Sequence, residues 1–434
     1  MSSTAPTQAE LDRWRSGISS AGWVHLNSAG AAPVSAAAHE AISSHLELER
    51  TMGGYAAMAA RAEAGGRDAR AALATLLSCD ADEVALVESA QVGWAKAFYS
   101  LAFLPSDRIL CWSSEYAGNA VAYLQQARRH GVAIEVLPMR RDGRVDVDAL
   151  AAALRRETAG RTLVALTHVQ TGESTVQPAE EVGALAKAHG AVFLLDSCQT
   201  VGQLEVNIQC DFCCGTGRKW LRGPRGTGFL YCRRDALPSG GGSRGMVGEP
   251  PMVDHVGARM LSASEYALEE GAKRYEMFEA SEACRAGLAA AVDLCLEEST
   301  STAHPLLFPN ALAVGAARIG ALAAAHAHFL RVGLEAIEGI KLRDSPNAAN
   351  DAAAPPRCGI VSFDASAVGI SSKALAAALF ERKIGVSVSP SVHTFDESRW
   401  ELPPALRVSP SYFNTKEELI FFLDVVKEIV SQAS

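Results

Sequence analysis

No stretch of this chain is apolar for long enough to span a bilayer. Its first residues, Met1-Ser2-Ser3-Thr4-Ala5-Pro6-Thr7-Gln8, lack the apolar core of a signal peptide. Both absences lead to the expectation of a cytoplasmic protein. An excess of positive charge is missing too. With 40 Lys and Arg against 49 Asp and Glu, the formal charge is -9, which argues against nucleic acid or an anionic membrane as a partner. There is no internal repeat. The ten cysteines are scattered, most in apolar strand-like settings such as Leu110-Cys111-Trp112 and Tyr231-Cys232, which suits reduced, buried thiols. Cys210, Cys213 and Cys214 stand close together, but no second Cys/His pair lies at zinc-site spacing. No metal site is expected.

What is present is enough apolar material for a large core. At 434 residues, 48% hydrophobic and 21% charged, the chain exceeds one ordinary domain and reads as soluble and globular. Short apolar runs at 83–87, 108–113, 133–137, 163–169, 192–196, 212–215 and 227–231 alternate with helical spacing, as over 121–130 and 179–189. Strands alternating with helices predict an α/β architecture with a mainly parallel sheet covered on both faces. Ligands of such sheets sit beyond the carboxyl ends of the strands, where His168, Asp196 and Lys219 fall. An irregular loop is expected over 238–251, alanine-rich helices over 281–335, a surface loop over 344–356 and a smaller α+β unit from 339 to the end. The domain expectation is an N-terminal segment, 1–30, packing near the site and the small domain; a large domain, 31–290; and a small domain, 291–434.

The densest chemical signal is Thr216-Gly217-Arg218-Lys219, which runs on through Trp220-Leu221-Arg222-Gly223-Pro224-Arg225-Gly226. Upstream, the run 192–195 ends in Asp196-Ser197-Cys198-Gln199, 23 residues before Lys219, enough for one strand-to-strand connection. A lysine able to form an imine and an acid at a neighbouring strand end are what pyridoxal phosphate (PLP) chemistry needs. Together the motifs resemble the class V aminotransferases, fold-type I PLP enzymes that include cysteine desulfurases, cysteine lyases and isopenicillin N epimerase. The resemblance runs from about Leu26-Asn27-Ser28-Ala29-Gly30 to Arg407-Val408-Ser409-Pro410.

That resemblance implies a large domain with a seven-stranded sheet plus a smaller C-terminal domain, with PLP as cofactor. It makes Lys219 the catalytic lysine, Asp196 the partner of the ring nitrogen and Gln199 the partner of the phenolic oxygen. Ser89, Ala90 and Gln91 match the phosphate loop, helped by Thr216 and Arg218. Tyr116 takes the place of the residue that stacks on the ring, and His168 belongs to the cofactor pocket. Asn27, Ala29, Gly30, Tyr55 and Arg407 fall to the substrate, with Arg407 gripping an α-carboxylate in a bidentate fork. There are departures. Thr171 occupies an asparagine slot, with Gln170 as a possible replacement, and Ala90 replaces a common threonine. Arg274-Tyr275-Glu276 resembles a segment that reaches the partner subunit's cofactor, which implies a homodimer with composite sites. Relatives usually continue with Gly-Thr, but here Phe278-Glu279-Ala280-Ser281 follows.

Desulfurases of this family carry a mobile cysteine in the loop before the carboxylate arginine. Here that loop, 386–394, has none, and no cysteine follows Cys358. The expectation is a carbon–sulfur β-lyase acting on a cysteine-derived amino acid or its sulfoxide, giving pyruvate and ammonia. Gly53-Gly54-Tyr55-Ala56, Gly118-Asn119 and 218–226 further resemble bacterial hercynylcysteine sulfoxide lyases. Epimerisation, transamination and a non-catalytic PLP-fold protein stay open as alternatives.

Overall fold

The seven apolar runs become the strands of one sheet: β1 (Val84–Val87), β2 (Arg108–Trp112), β3 (Ala133–Leu137), β4 (Thr162–Thr167), β5 (Val192–Asp196), β6 (Phe212–Thr216) and β7 (Gly228–Cys232). This is a computed structural model, and it describes residues 6–18, 22–204, 206–237, 249–299, 312–314, 317–343, 356–389 and 394–433. The strand order is β1-β7-β6-β5-β4-β2-β3, parallel from β6 to β3 and antiparallel on both sides of β7. Most of the loop expected over 238–251 and of that over 344–356 lies outside the described residues.

Successive side chains of a strand point to opposite faces, and both faces here are covered. In β5, Phe193 and Leu195 pack with Leu73, Leu77 and Val292, while Val192 and Leu194 pack with Trp94, Phe98 and Tyr123. That two-sided burial is why the runs read as continuously apolar instead of alternating. The covering helices include α1 (Ala36–Met52), α2 (Ala69–Leu77), α3 (Ala90–Tyr99), α4 (Ala117–His130), α5 (Ala179–Ala188) and α6 (Glu282–Ser299). The last packs against α1 and α2. Gly131 ends α4 in the left-handed region at φ 70°, which a residue with a Cβ adopts only at a cost.

A second sheet follows, built of β8 (Lys341–Leu342), β9 (Val361–Asp364), β10 (Ser387–Ser389) and β11 (Ala405–Val408) in the order β8-β9-β11-β10. With α7 (Ala317–Glu335), α8 (Ser372–Glu381) and α9 (Lys416–Ala433) it encloses its own core around Leu330, Phe363, Leu406 and Phe422. The N-terminal segment joins this unit. Val24–His25 pairs with Ile384–Gly385, Leu26 enters the same core, and Asn27 bridges Ser409. The pairing carries Ala29 and Gly30 to the mouth of the cavity described next.

Candidate active site

A cavity of about 250 Å3 opens where β4, β5 and β6 end. Register sets its floor: Thr167 stands opposite Asp196, and Asp196 opposite Cys214. Its phosphate-sized corner is the start of α3. Ser89 caps that helix, its hydroxyl accepting from Val92 N–H at 3.2 Å. The amides of Ala90 and Gln91 are among the first of the helix, which have no acceptor within it and favour an anion. Gly228 lets β7 approach this corner. A Cβ there would lie 2.6 Å from Ser89 C and 2.7 Å from Ala90 N.

Lys219 lies past the end of β6, partly buried among these groups, and desolvation lowers its pKa. A neutral amine is therefore more accessible at moderate pH than on a surface lysine. Arg218 donates to Gly30 O, linking the lysine loop to the N-terminal segment. Arg407 enters from β11, held by 2.8 Å bonds to Thr171 O and Oγ1 and a 3.1 Å bond to Ser387 Oγ. Burial first, and then the Arg218 charge, bring Arg407 down to about 10. Among the lining residues three are cationic types and one, Asp196, is acidic. Such a cavity attracts anionic ligands.

The aminotransferase class-V family model matches residues 24–294, more than half of the chain. The chain belongs to the class V aminotransferase family. A probable hercynylcysteine sulfoxide lyase of Mycobacterium tuberculosis is 27% identical over 96% of this chain and 92% of that protein. A probable cysteine desulfurase of Methanothermobacter thermautotrophicus is 30% identical over 52% of this chain, and the match spans about half (54%) of that relative. The apo structure of a cysteine desulfurase from Thermococcus onnurineus superposes with a TM-score of 0.81 at 20% identity, covering 99% of this chain and 100% of that one. A complex of the cystine C–S lyase C-DES with cysteine persulfide does so at 0.75 and 22%, covering 94% and 98%. Both likenesses carry the fold.

The cofactor of this class V aminotransferase family member is PLP, and the donor set fits it. The helix start, Thr216 and Arg218 would take the phosphate; the Lys219 amine would take the aldehyde; Asp196 would face the ring nitrogen. Of the residues expected from the sequence, Ser89, Ala90, Gln91, Tyr116, Asp196, Gln199, Thr216, Arg218, Lys219, Ala29, Gly30 and Arg407 line this one cavity. Asn27 stands behind the lining, 3.4 Å from Arg407. Gln199 is already engaged: its amide nitrogen donates to Ala29 O at 3.1 Å and its oxygen accepts from the Trp220 indole at 2.9 Å.

Two expected residues are placed elsewhere. His168 turns under the floor to Thr200 Oγ1 at 2.9 Å, its pKa pulled down to about 4 by burial. Tyr55 is 77% exposed and packs beside Phe278, away from the cavity. The expected stand-in for asparagine is also corrected: Gln170 is buried with its oxygen accepting from Gly172 N–H, while Thr171 itself lines the cavity and grips Arg407. Of the cross-subunit segment, Arg274, Tyr275 and Glu276 are buried in their own chain, where Glu276 binds Arg70 and Leu86 N–H; exposure begins at Phe278. Trp94, Asn119 and Thr167 line the cavity without having been assigned a role. For Asn119 a signal existed. Asn119 and Tyr123 are four apart on one side of α4, and both reach Glu115 just before that helix. Cys198 is the one cysteine in the lining, and with Asp196 and Cys214 it forms a group whose ligand atoms lie within 4.8 Å of one another.

Proposed function

We propose that this protein is a PLP-dependent carbon–sulfur β-lyase that acts on a cysteine-derived amino acid or its sulfoxide. For a thioether the balance is RS–CH2–CH(NH3+)–COO− + H2O → RSH + pyruvate + NH4+. The observation that carries this reading is a lysine–acid–arginine cavity without a mobile acceptor thiol. No cysteine follows Cys358, and the backbone of Cys198 is fixed in the turn after β5 by its N–H bond to Asp196 Oδ1 at 3.0 Å. A persulfide-forming thiol must swing between substrate and acceptor, and a residue fixed in the turn after β5 does not.

Bound here, PLP supplies an electron sink conjugated to the substrate's α-carbon. The chain's own groups do the rest. Arg407 receives the α-carboxylate, pre-aimed by Thr171 and Ser387. Lys219, desolvated and so a ready base, takes the α-proton and holds it at Nζ. Asp196 keeps a proton at the ring nitrogen, which draws the electron pair away from the α-carbon. The whole-length likeness to the Mycobacterium tuberculosis relative supports a sulfoxide as the substrate class.

The test is to incubate reconstituted enzyme with cysteine, cystine and an S-substituted cysteine sulfoxide in deuterated buffer. Pyruvate and ammonia should appear in equal amounts with the matching sulfur product, and Lys219→Ala should give neither. Racemisation or keto-acid exchange without pyruvate would replace the lyase reading. So would a persulfide on any cysteine during turnover, with activity lost when that cysteine is replaced.

A further inference from the structure

Behind Asp196 lies a second carboxyl that no step above uses. Glu115 is fully enclosed, and every polar neighbour donates to it. Its Oε1 accepts from Tyr116 N–H at 2.7 Å, from Asn119 Nδ2 at 3.1 Å and from the Thr167 hydroxyl. Its Oε2 accepts from the Tyr123 hydroxyl at 2.8 Å. Four donors suit an ionised carboxylate, which can only accept. Burial, with the Asp196 charge adding to it, leaves the group above the usual carboxylate range, although the Thr167, Asn119 and Tyr123 bonds pull it down.

Asn119 joins this carboxyl to the cavity. The same Nδ2 that donates to Glu115 donates to Asp196 Oδ2 at 3.2 Å. An amide nitrogen has two hydrogens, and both neighbours are acceptors, so the orientation of the amide is dictated by its surroundings. Asn119 Oδ1 is left buried without a partner. An orphaned carbonyl costs about 1–3 kcal/mol, a cost tolerated for the bridge on its other side. The bridge puts oxygens of the two carboxylates roughly 6 Å apart at most.

We propose that Glu115 is a positioning residue for the cofactor: through the Asn119 amide it fixes the Asp196 carboxylate and places a second negative charge behind it, so that both act on the ring-nitrogen proton. The contacts divide the labour. Cys198 N–H holds Asp196 Oδ1, Asn119 holds Oδ2, and the carboxylate is locked from both ends. A proton on the ring nitrogen is then favoured by two charges aligned on one side instead of one. This rests on PLP facing Asp196, and is independent of which substrate bond is broken.

The experiment uses the full-length enzyme loaded with PLP and reads the pH at which the cofactor's visible band fades. It also reads the PLP dissociation constant and the melting temperature. A protonated ring withdraws electrons and lowers the pKa of that band, so losing the ring proton makes the band persist to higher pH. Asp196→Asn serves as the reference and should give the largest upward shift. Glu115→Gln keeps size and loses charge; it should shift the band the same way by about one pH unit, a tenfold change in proton affinity. Asn119→Ala, which keeps Glu115 but cuts the bridge, should do likewise and covers the case in which Glu115→Gln fails to fold. A purely structural role would lower the melting temperature without moving the band. If Asp196→Asn shifts the band and both other variants titrate as wild type, the relay is wrong. If Asp196→Asn itself leaves the band in place, the Asp196 assignment falls and the relay falls with it.

Discussion

At the scale of single residues, Thr171, read from the sequence as standing in an asparagine slot, holds Arg407 directly. Its hydroxyl and carbonyl both accept from the same Arg407 nitrogen, so the residue fixes the orientation of the arginine. Thr171→Val keeps the shape and removes one acceptor. It should raise KM by about tenfold or more with little change in kcat, the worth of one hydrogen bond to a charged group; a fall in kcat at constant KM would contradict a ground-state role. His168 makes a prediction about stability. Its pKa is about 4 in the folded chain because burial excludes the charged form, against a usual value near 6.5 in the unfolded chain. The unfolded state binds the extra proton first, so stability is lost as pH falls from about 6.5 towards 4, by roughly 3 kcal/mol over the window. His25, also brought down to about 4 by burial, adds in the same direction. Denaturant titrations between pH 7 and 4 should show a shallower decline for His168→Gln than for wild type, and parallel slopes would remove His168 as a cause.

Among the elements, the corner where α3 meets β7 depends on a glycine. A Cβ on Gly228 would meet Ser89 C, Ala90 N and, at 2.9 Å, Gly215 O, all backbone atoms that cannot rotate aside. Gly228→Ala should therefore push the helix start away, weakening PLP binding by about tenfold or more and lowering stability by about 1–3 kcal/mol. Ser89→Ala, which removes the cap and leaves the amides in place, should cost about 1 kcal/mol of stability. Equilibrium dialysis with PLP and a urea melt separate the two effects. The strands were legible because two-sided burial writes each one as an unbroken apolar run, and all seven runs pair in one sheet. Asp196 and Lys219 were legible because strand ends and glycine-rich turns are marked locally in the sequence. Asn119, quoted only as part of a motif, and Glu115 were given no role, because their meaning comes from a carboxylate 77 residues away and from the β2–β4 neighbourhood that brings Thr167 alongside. Tyr55 was assigned to the substrate from motif similarity alone, and motif similarity does not say whose cavity a residue serves.

For the whole molecule, that question becomes one of assembly. Tyr55 and Phe278, drawn from two segments that the sequence separately connects with an active site, meet on one exposed face, their rings 6.5 Å apart. Met52 and Met58 are exposed on the same α1-to-Glu63 stretch, leaving an apolar surface of the kind a partner covers. Neither aromatic reaches its own cavity. The homodimer that the family resemblance implies would account for both facts if each subunit lends Tyr55 and the 278–281 segment to the other's site across a two-fold axis. This makes a quantitative prediction. Lys219→Ala chains have no imine-forming lysine but an intact Tyr55; Tyr55→Ala chains have the reverse. Each homodimer should be impaired, yet a mixed dimer contains one site with Lys219 from one chain and Tyr55 from the other, equivalent to wild type. Dissociating and re-associating equal amounts yields about half mixed dimers, so pyruvate formation should recover to about a quarter of the wild-type rate per site. If Tyr55 served its own chain's cavity, every Lys219-bearing site in the mixture would still carry Tyr55→Ala. Activity would then stay at half that of the Tyr55→Ala homodimer however the subunits were combined.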